Sequence, residues 1–293
     1  MRRLLVLFLT LLACRSALAQ NFDTVQVRTT ALAKGVYMLA GAGGNMGLSV
    51  GDDAVFLVDD EYAPLTPKIR AAIAALSSKP VRFVLNTHWH FDHTGGNKDH
   101  GEAGALIVAH DNVRKRMSTD QFIEALKRTE PAAPKAALPV VTFNDTVTFH
   151  LNGDDVLAFH VAPAHTDGDV IVVFRSANVV HMGDVFLSAG FPFVDLSSGG
   201  SINGFIAAAD RVLPIIDANT RVIPGHGPLS DRARLKEFRD MLYVMRDRMK
   251  KEVAAKHTIE QVLASNITAD YDKAWPGGRE RFLRLLFQEL GGK

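Results

Sequence analysis

The stretch Thr87-His88-Trp89-His90-Phe91-Asp92-His93-Thr94-Gly95-Gly96-Asn97 constrains this chain more than any other. It sets His88, His90 and His93 beside Asp92, directly after the apolar run Val81 to Leu85, which reads as a short buried strand. The histidines therefore fall where a strand ends and a loop begins, a usual place for a site in an α/β protein. In extended backbone, residues two apart face the same way, so His88 and His90 can reach one ion together. Asp92 and His93 are adjacent and point differently, which suits a second ion. Imidazoles crowded in this way resist protonation and cost stability unless a cation neutralises the arrangement. Imidazole with carboxylate suits zinc.

The stretch resembles the His-x-His-x-Asp-His motif of the metallo-β-lactamase superfamily. Later segments carry the resemblance on: Ala164-His165-Thr166-Asp167-Gly168-Asp169, then His181-Met182-Gly183-Asp184-Val185-Phe186, then Pro224-Gly225-His226-Gly227. It spans roughly Val36 to Gly227. It implies an α/β fold, a four-layer αββα sandwich whose two similar halves are each a sheet covered by helices. It also implies two Zn2+ per chain, one on His88, His90 and His165, the other on Asp92, His93 and His226, with Asp184 bridging. An Asp at the bridging position resembles the glyoxalase II and lactonase branches rather than the cysteine-bearing β-lactamases. Asp59, after the strand Phe56-Leu57-Val58, matches the family's aspartate that supports the metal ligands, and Thr166 is a second candidate for that role.

Composition narrows the function classes. The 293 residues are 47% hydrophobic and 22% charged, as in an ordinary globular protein, and the length allows one large domain or two small ones. Arg2 and Arg3, the apolar run Leu4 to Ala13, and Ala17-Leu18-Ala19 read as a secretory signal peptide over 1–19. Residues 20–293 then form a single metallo-β-lactamase-like domain with C-terminal helices. The leader run is shorter than the ~20 apolar residues of a membrane span, so no stable span is expected after cleavage. A periplasmic location follows. A lipoprotein signal through Cys14, the one cysteine, is the lesser reading. Removing Arg2, Arg3 and Arg15 with the leader leaves 30 basic against 32 acidic residues. A slightly acidic chain without a basic stripe is a poor candidate for nucleic acid, so the expected partner is a small-molecule substrate. The oligomeric state is left open.

Along the chain, the pattern predicts strands at Val25 to Thr29, Val36 to Ala40, Asn45 to Val50, Ala54 to Val58 and Ala105 to Ala109. In the second half it predicts strands at Thr146 to His150, Val156 to Val161, Val170 to Phe174, Val179 to Met182 and Arg221 to Ile223. Helices are expected at Thr66 to Leu76, Asn112 to Lys127, Ser201 to Leu213, Asp231 to Lys256 and Gly278 to Leu290. Pro131 to Pro139 reads as a loop near the site rim. His100, His110, His150, His160, His181 and His257 read as core or surface residues, with His181 closest in sequence to Asp184.

The resemblance implies hydrolysis of an amide or ester by a metal-bridging hydroxide, with Asp92 orienting it, in an exported dizinc hydrolase. β-Lactams are one substrate class. A lactonase or glyoxalase II-like thioesterase is the alternative, and an oxygenase resembling the mononuclear iron persulfide dioxygenases is another. The lysine that β-lactamases of the cysteine branch use for the substrate carboxylate is replaced here by Leu187, and no Lys or Arg occurs from Val185 to Asp210. Phe191-Pro192-Phe193-Val194 offers an apolar wall instead.

Overall fold

The computed structural model describes residues 21–33 and 35–292; the signal peptide expected over 1–19, with Cys14, lies outside them. The first half carries β1 (Arg28–Ala33), β2 (Val36–Ala40), β3 (Met46–Val50), β4 (Val55–Val58), α1 (Thr66–Ala74), β5 (Val81–Leu85), α2 (Phe91–Thr94), α3 (Asn97–Glu102), β6 (Leu106–His110), α4 (Asp111–Met117), β7 (Gln121–Ile123), β8 (Arg128–Glu130) and β9 (Val141–Phe143). The second carries β10 (Thr146–Leu151), β11 (Asp154–His160), β12 (Val170–Phe174), β13 (Val179–His181), α5 (Ile202–Val212), β14 (Arg221–Ile223), β15 (Ser230–Asp231), α6 (Arg232–Ala254), α7 (Ile259–Ala264) and α8 (Arg279–Glu289).

One sheet runs β1-β2-β3-β4-β5-β6-β9 and the other β10-β11-β12-β13-β14-β15, with β7 and β8 forming a separate ribbon. The period-2 alternation of a strand builds the layers. Phe56 and Val58 of β4 meet Val170, Val172 and Phe174 of β12 between the sheets. Val55 and Leu57, facing the other way, pack with Leu65, Ile69 and Ile73 around α1. On the far side Phe159, Ile171 and Val180 pack with Phe205 of α5, Phe238 and Leu242 of α6 and Phe282 of α8. Three apolar layers thus separate four structural layers, the expected αββα sandwich.

Most boundaries of the expected elements fall within a residue or two; the short elements α2, α3, β9 and β15 are additions to the expected set, and three further differences have visible causes. The first strand begins at Arg28 rather than Val25, because Lys68 Nζ takes the carbonyls of Phe22, Asp23 and Val25 at 2.9, 2.6 and 2.8 Å. Helix α4 stops at Met117, and the span expected to extend it to Lys127 turns back as the β7–β8 ribbon. Asp120 Oδ1 accepts from Ala132 N at 2.8 Å, and Lys127 adopts a left-handed conformation at φ 49°. Val113, Met117 and Ile123 still share one apolar cluster with Trp89, so helix and ribbon satisfy the same pattern. The short helix α7 was not anticipated. Its start is a capping box of Thr258 and Gln261. Among the described residues no helix is long and apolar enough to cross a membrane.

Candidate metal centre

Seven side chains from five chain segments converge at one edge of the sandwich. His88 and His90 follow β5, Asp92 and His93 lie in α2, His165 follows β11, Asp184 follows β13 and His226 follows β14. Ligand-type atoms of His88, His90 and His165 lie within 4.8 Å of one another, and so do those of Asp92, His93 and His226. Asp184 faces both groups. Its Oδ1 is 3.1 Å from His93 Nε2 and 3.3 Å from His226 Nε2, and its Oδ2 is 3.6 Å from His165 Nε2. Two glycines make the convergence possible. A Cβ on Gly44 would sit 2.1 Å from His93 Cε1, and one on Gly225 would sit 2.0 Å from Asp184 Oδ1. Asn45 ties these loops together, donating from Nδ2 to the carbonyls of Pro224 and Gly227, both at 2.9 Å.

The outward hydrogen bonds dictate the tautomers. Carboxylate and carbonyl oxygens only accept, so His90 Nε2 donates to Asp195 Oδ2 (3.0 Å), His93 Nδ1 to Asp59 Oδ2 (2.8 Å) and His165 Nδ1 to the Phe193 carbonyl (2.6 Å). Thr87 Oγ1 donates its proton to Asp59 Oδ2 at 2.7 Å, so at 3.0 Å it accepts from His88 Nδ1. Neutral rings held this way turn bare nitrogen lone pairs inward. His90 Nδ1 faces His165 Nε2 at 2.8 Å, and His93 Nε2 faces His226 Nε2 at 3.3 Å. His88 Nε2 is buried with no partner at all. Opposed lone pairs at such distances repel unless a proton or a metal ion lies between them. The donor set of nitrogen and carboxylate oxygen fits zinc.

The electrostatics divide the cluster: around His93, burial is overcome by Asp184, Asp59 and Asp92, which hold its pKa well above the usual histidine value, so without metal its inward Nε2 carries a proton. Burial disfavours the charged form of His88 and holds its pKa well below the usual histidine value; burial, with His90 beside it, lowers that of His165 to about 4. Around His226, burial is overcome by Asp184 and Asp92, which push its pKa up to about 10. Asp92 is likewise buried, yet His93 and His226 hold its carboxyl down at about 2. In the protein alone, protons are drawn in to balance carboxylates that a metal would otherwise neutralise.

Asp59 sits where the sequence places it, fully buried at the end of β4 with a left-handed φ of 59°. It accepts from Thr87 N at 2.7 Å as well as from Thr87 Oγ1 and His93. Thr166 does not touch a ligand ring. Its hydroxyl donates to Asp169 Oδ1 at 2.6 Å, and Asp169 Oδ2 also accepts from His165 N at 2.7 Å, so this pair shapes the loop backbone. Partners of the His90 and His165 rings come instead from Asp195 and the Phe193 carbonyl, both overlooked in the sequence. Phe193 is 8% exposed and stacks on His90 with ring centroids 5.9 Å apart, while Phe191 stacks on Phe282 in the core, so of the expected apolar wall Phe193 packs against the histidines. His181 stays outside the cluster. Its Nε2 donates to the Asn45 carbonyl at 2.9 Å, and its Nδ1 accepts from Gly183 N.

The family model of the metallo-β-lactamase superfamily matches residues 40–240. A hydroxyacylglutathione hydrolase of Erythrobacter litoralis is 31% identical over 111 residues, 38% of this chain but only 36% of that protein's length. A metallo-β-lactamase type 2 of Bacillus cereus is 26% identical over 187 residues, 64% of this chain and 68% of that one. Among solved structures, an inverting sec-alkylsulfatase from Pseudomonas sp. is similar with a TM-score of 0.70 at 17% identity, covering 91% of this chain and 50% of that one. The chain belongs to the metallo-β-lactamase superfamily.

Proposed function

We propose that this protein is an exported dizinc hydrolase that cleaves an amide or ester bond, with β-lactam-type cyclic amides as one substrate class. The observation that carries the reading is the set of inward ring nitrogens on His88, His90, His165 and His93, with acceptors on their outer sides. His88, His90 and His165 would hold one zinc; Asp92, His93 and His226 would hold the other; and Asp184 has an oxygen toward each group. Bound there, zinc would lower the pKa of a coordinated water to about 7 and supply positive charge to a developing oxyanion.

The protein's own groups do the rest. Asp92, ionised and half-buried beside His226, orients the attacking water by accepting a hydrogen bond from it. Asp59 and Thr87 hold the rings of His93 and His88, and Asp195 holds His90, which fixes the ring orientations for a metal. Phe193 and Trp89, both mostly buried, keep water from the three-histidine side.

A second reading, a lactonase or glyoxalase II-like thioesterase, is favoured by one feature. The bridging position is the carboxylate Asp184 rather than a thiolate, and one relative is a hydroxyacylglutathione hydrolase. Purified protein should therefore be assayed for metal and for turnover of a chromogenic cephalosporin, a lactone and an acyl thioester. Two zincs with cephalosporin turnover support the first reading. Two zincs with turnover of lactone or thioester alone support the second. One iron per chain contradicts both. Export is tested by cell fractionation, where recovery in the periplasm is the expected result.

A further inference from the structure

The position of the β-lactamase lysine is filled by Leu187, but a cation reaches the site from another part of the chain. Arg281 lies in the first turn of α8, and its guanidinium carbon is 4.8 Å from the centroid of the Phe193 ring. That ring in turn stacks on His90 and lies 5.5 Å from the ring of His165. The guanidinium is thus one aromatic ring away from the three-histidine group. Asp184 is among the charges it feels, raising a pKa that burial lowers, and the group stays charged throughout the working range.

The same arginine lines a cleft of about 570 Å³ between the β7–β8 ribbon, the turn at Asp195 to Ser197 and α8. The walls have different characters. Ala125, Leu196 and Leu285 are apolar, while Lys127, Arg281 and Arg284 bring positive charge. Arg284 is already engaged, 2.9 Å from Glu280. Arg281 has no hydrogen bond or ion pair to protein among the described residues; its recorded contact is the Phe193 face. A cation left over an aromatic face beside a metal-type site is available to a ligand. Asp195 borders the outer side of the three-histidine group. It lines the cleft and accepts from His90 Nε2.

Resting on the dizinc reading, the geometry points to Arg281 as the residue that binds a carboxylate on the substrate, with the 570 Å³ cleft taking an apolar group next to it. The substrate class is a monoanionic acid with its scissile carbonyl at the histidines.

The test separates this assignment from metal chemistry by reading binding rather than turnover. The probes are 3-mercaptopropionate and its methyl ester, titrated calorimetrically into zinc-loaded wild type, Arg281→Ala and Arg281→Lys. The thiol is common to both probes and reports the metals; the carboxylate reports Arg281. The expected result is acid bound about 10- to 100-fold more tightly than ester by wild type, the range of a charge-assisted hydrogen bond. That preference disappears in Arg281→Ala and partly returns in Arg281→Lys, while ester affinity stays the same in all three. Equal binding of acid and ester by wild type overturns the assignment, and so does an equal loss for both probes in Arg281→Ala. Failure to take up zinc would sink the proposed function instead; an acid-selective affinity that depends on Arg281 would then still support the carboxylate site.

Discussion

Replacing Asp59 with Asn tests the tautomer argument at its root. Asn fits the left-handed φ of 59° without new strain, so the backbone is spared. The amide has one forced orientation. Thr87 N is a fixed donor 2.7 Å from Asp59 Oδ1, so the amide oxygen must stay there. The amide NH₂ then replaces Oδ2, which now accepts from Thr87 Oγ1 and His93 Nδ1. Facing a donor, His93 must move its proton to Nε2, the atom aimed at Asp184 and His226. Thr87 Oγ1, receiving from the amide, turns its own proton toward His88 Nδ1 and protonates the wrong side of that ring too. One ligand of each metal group is thereby blocked. Loss of such outer partners weakens metal binding by about 10- to 100-fold, about 1.4–2.8 kcal/mol per ion. Thr87→Val breaks only the relay to His88 and should weaken the three-histidine group alone. Competition with a chromogenic chelator reads both steps. Wild-type affinities in Asp59→Asn would refute the reasoning, as would identical losses in the two variants.

Other consequences follow from the same contacts. Asp92→Asn should lower kcat by about 10²–10⁴-fold, with metal content measured alongside to separate orientation of water from loss of the ion. Gly225→Ala should cost about 1–3 kcal/mol, read by thermal melting, and should weaken metal uptake, since its Cβ would meet Asp184 Oδ1 at 2.0 Å; an unchanged melt and metal content would contradict the packing described. His100, 1% exposed with Nε2 unpartnered, has its pKa lowered to about 4 by burial, with Arg70 adding to the effect. The unfolded chain binds that proton near 6.5, so stability falls as pH drops from about 6.5 through 4, by on the order of 3 kcal/mol. His100→Leu should flatten that acid limb in pH-dependent unfolding, and an unchanged slope would assign it to other groups.

The ligand residues were legible because their chemistry is written in side-chain identity and short spacing, as in His88, His90, Asp92 and His93. The strands were legible for a similar reason: Phe56 and Val58 against Val55 and Leu57 alternate as a two-faced strand must. What escaped depends on distant backbone. The His165 partner is the carbonyl of Phe193, an atom every residue owns. Asp195 sits beside an apolar run and declares its role only when that run folds against His90. Arg281 gives no signal in sequence because it lies far along the chain from Asp184 and comes near the cluster only when α8 packs its guanidinium over Phe193. The false helix after Met117 has a different cause, since Ile123 satisfies one apolar cluster from a helix or a ribbon alike.

The central claim is that the inward lone pairs hold two zinc ions, and the most direct test is the metal-to-protein ratio of purified protein by elemental analysis, in wild type and His165→Ala. The account predicts two zincs per chain in wild type and one in the variant, since His165 belongs to one group and leaves Asp92, His93 and His226 in place. A single iron in wild type, or no metal after zinc loading, would contradict it.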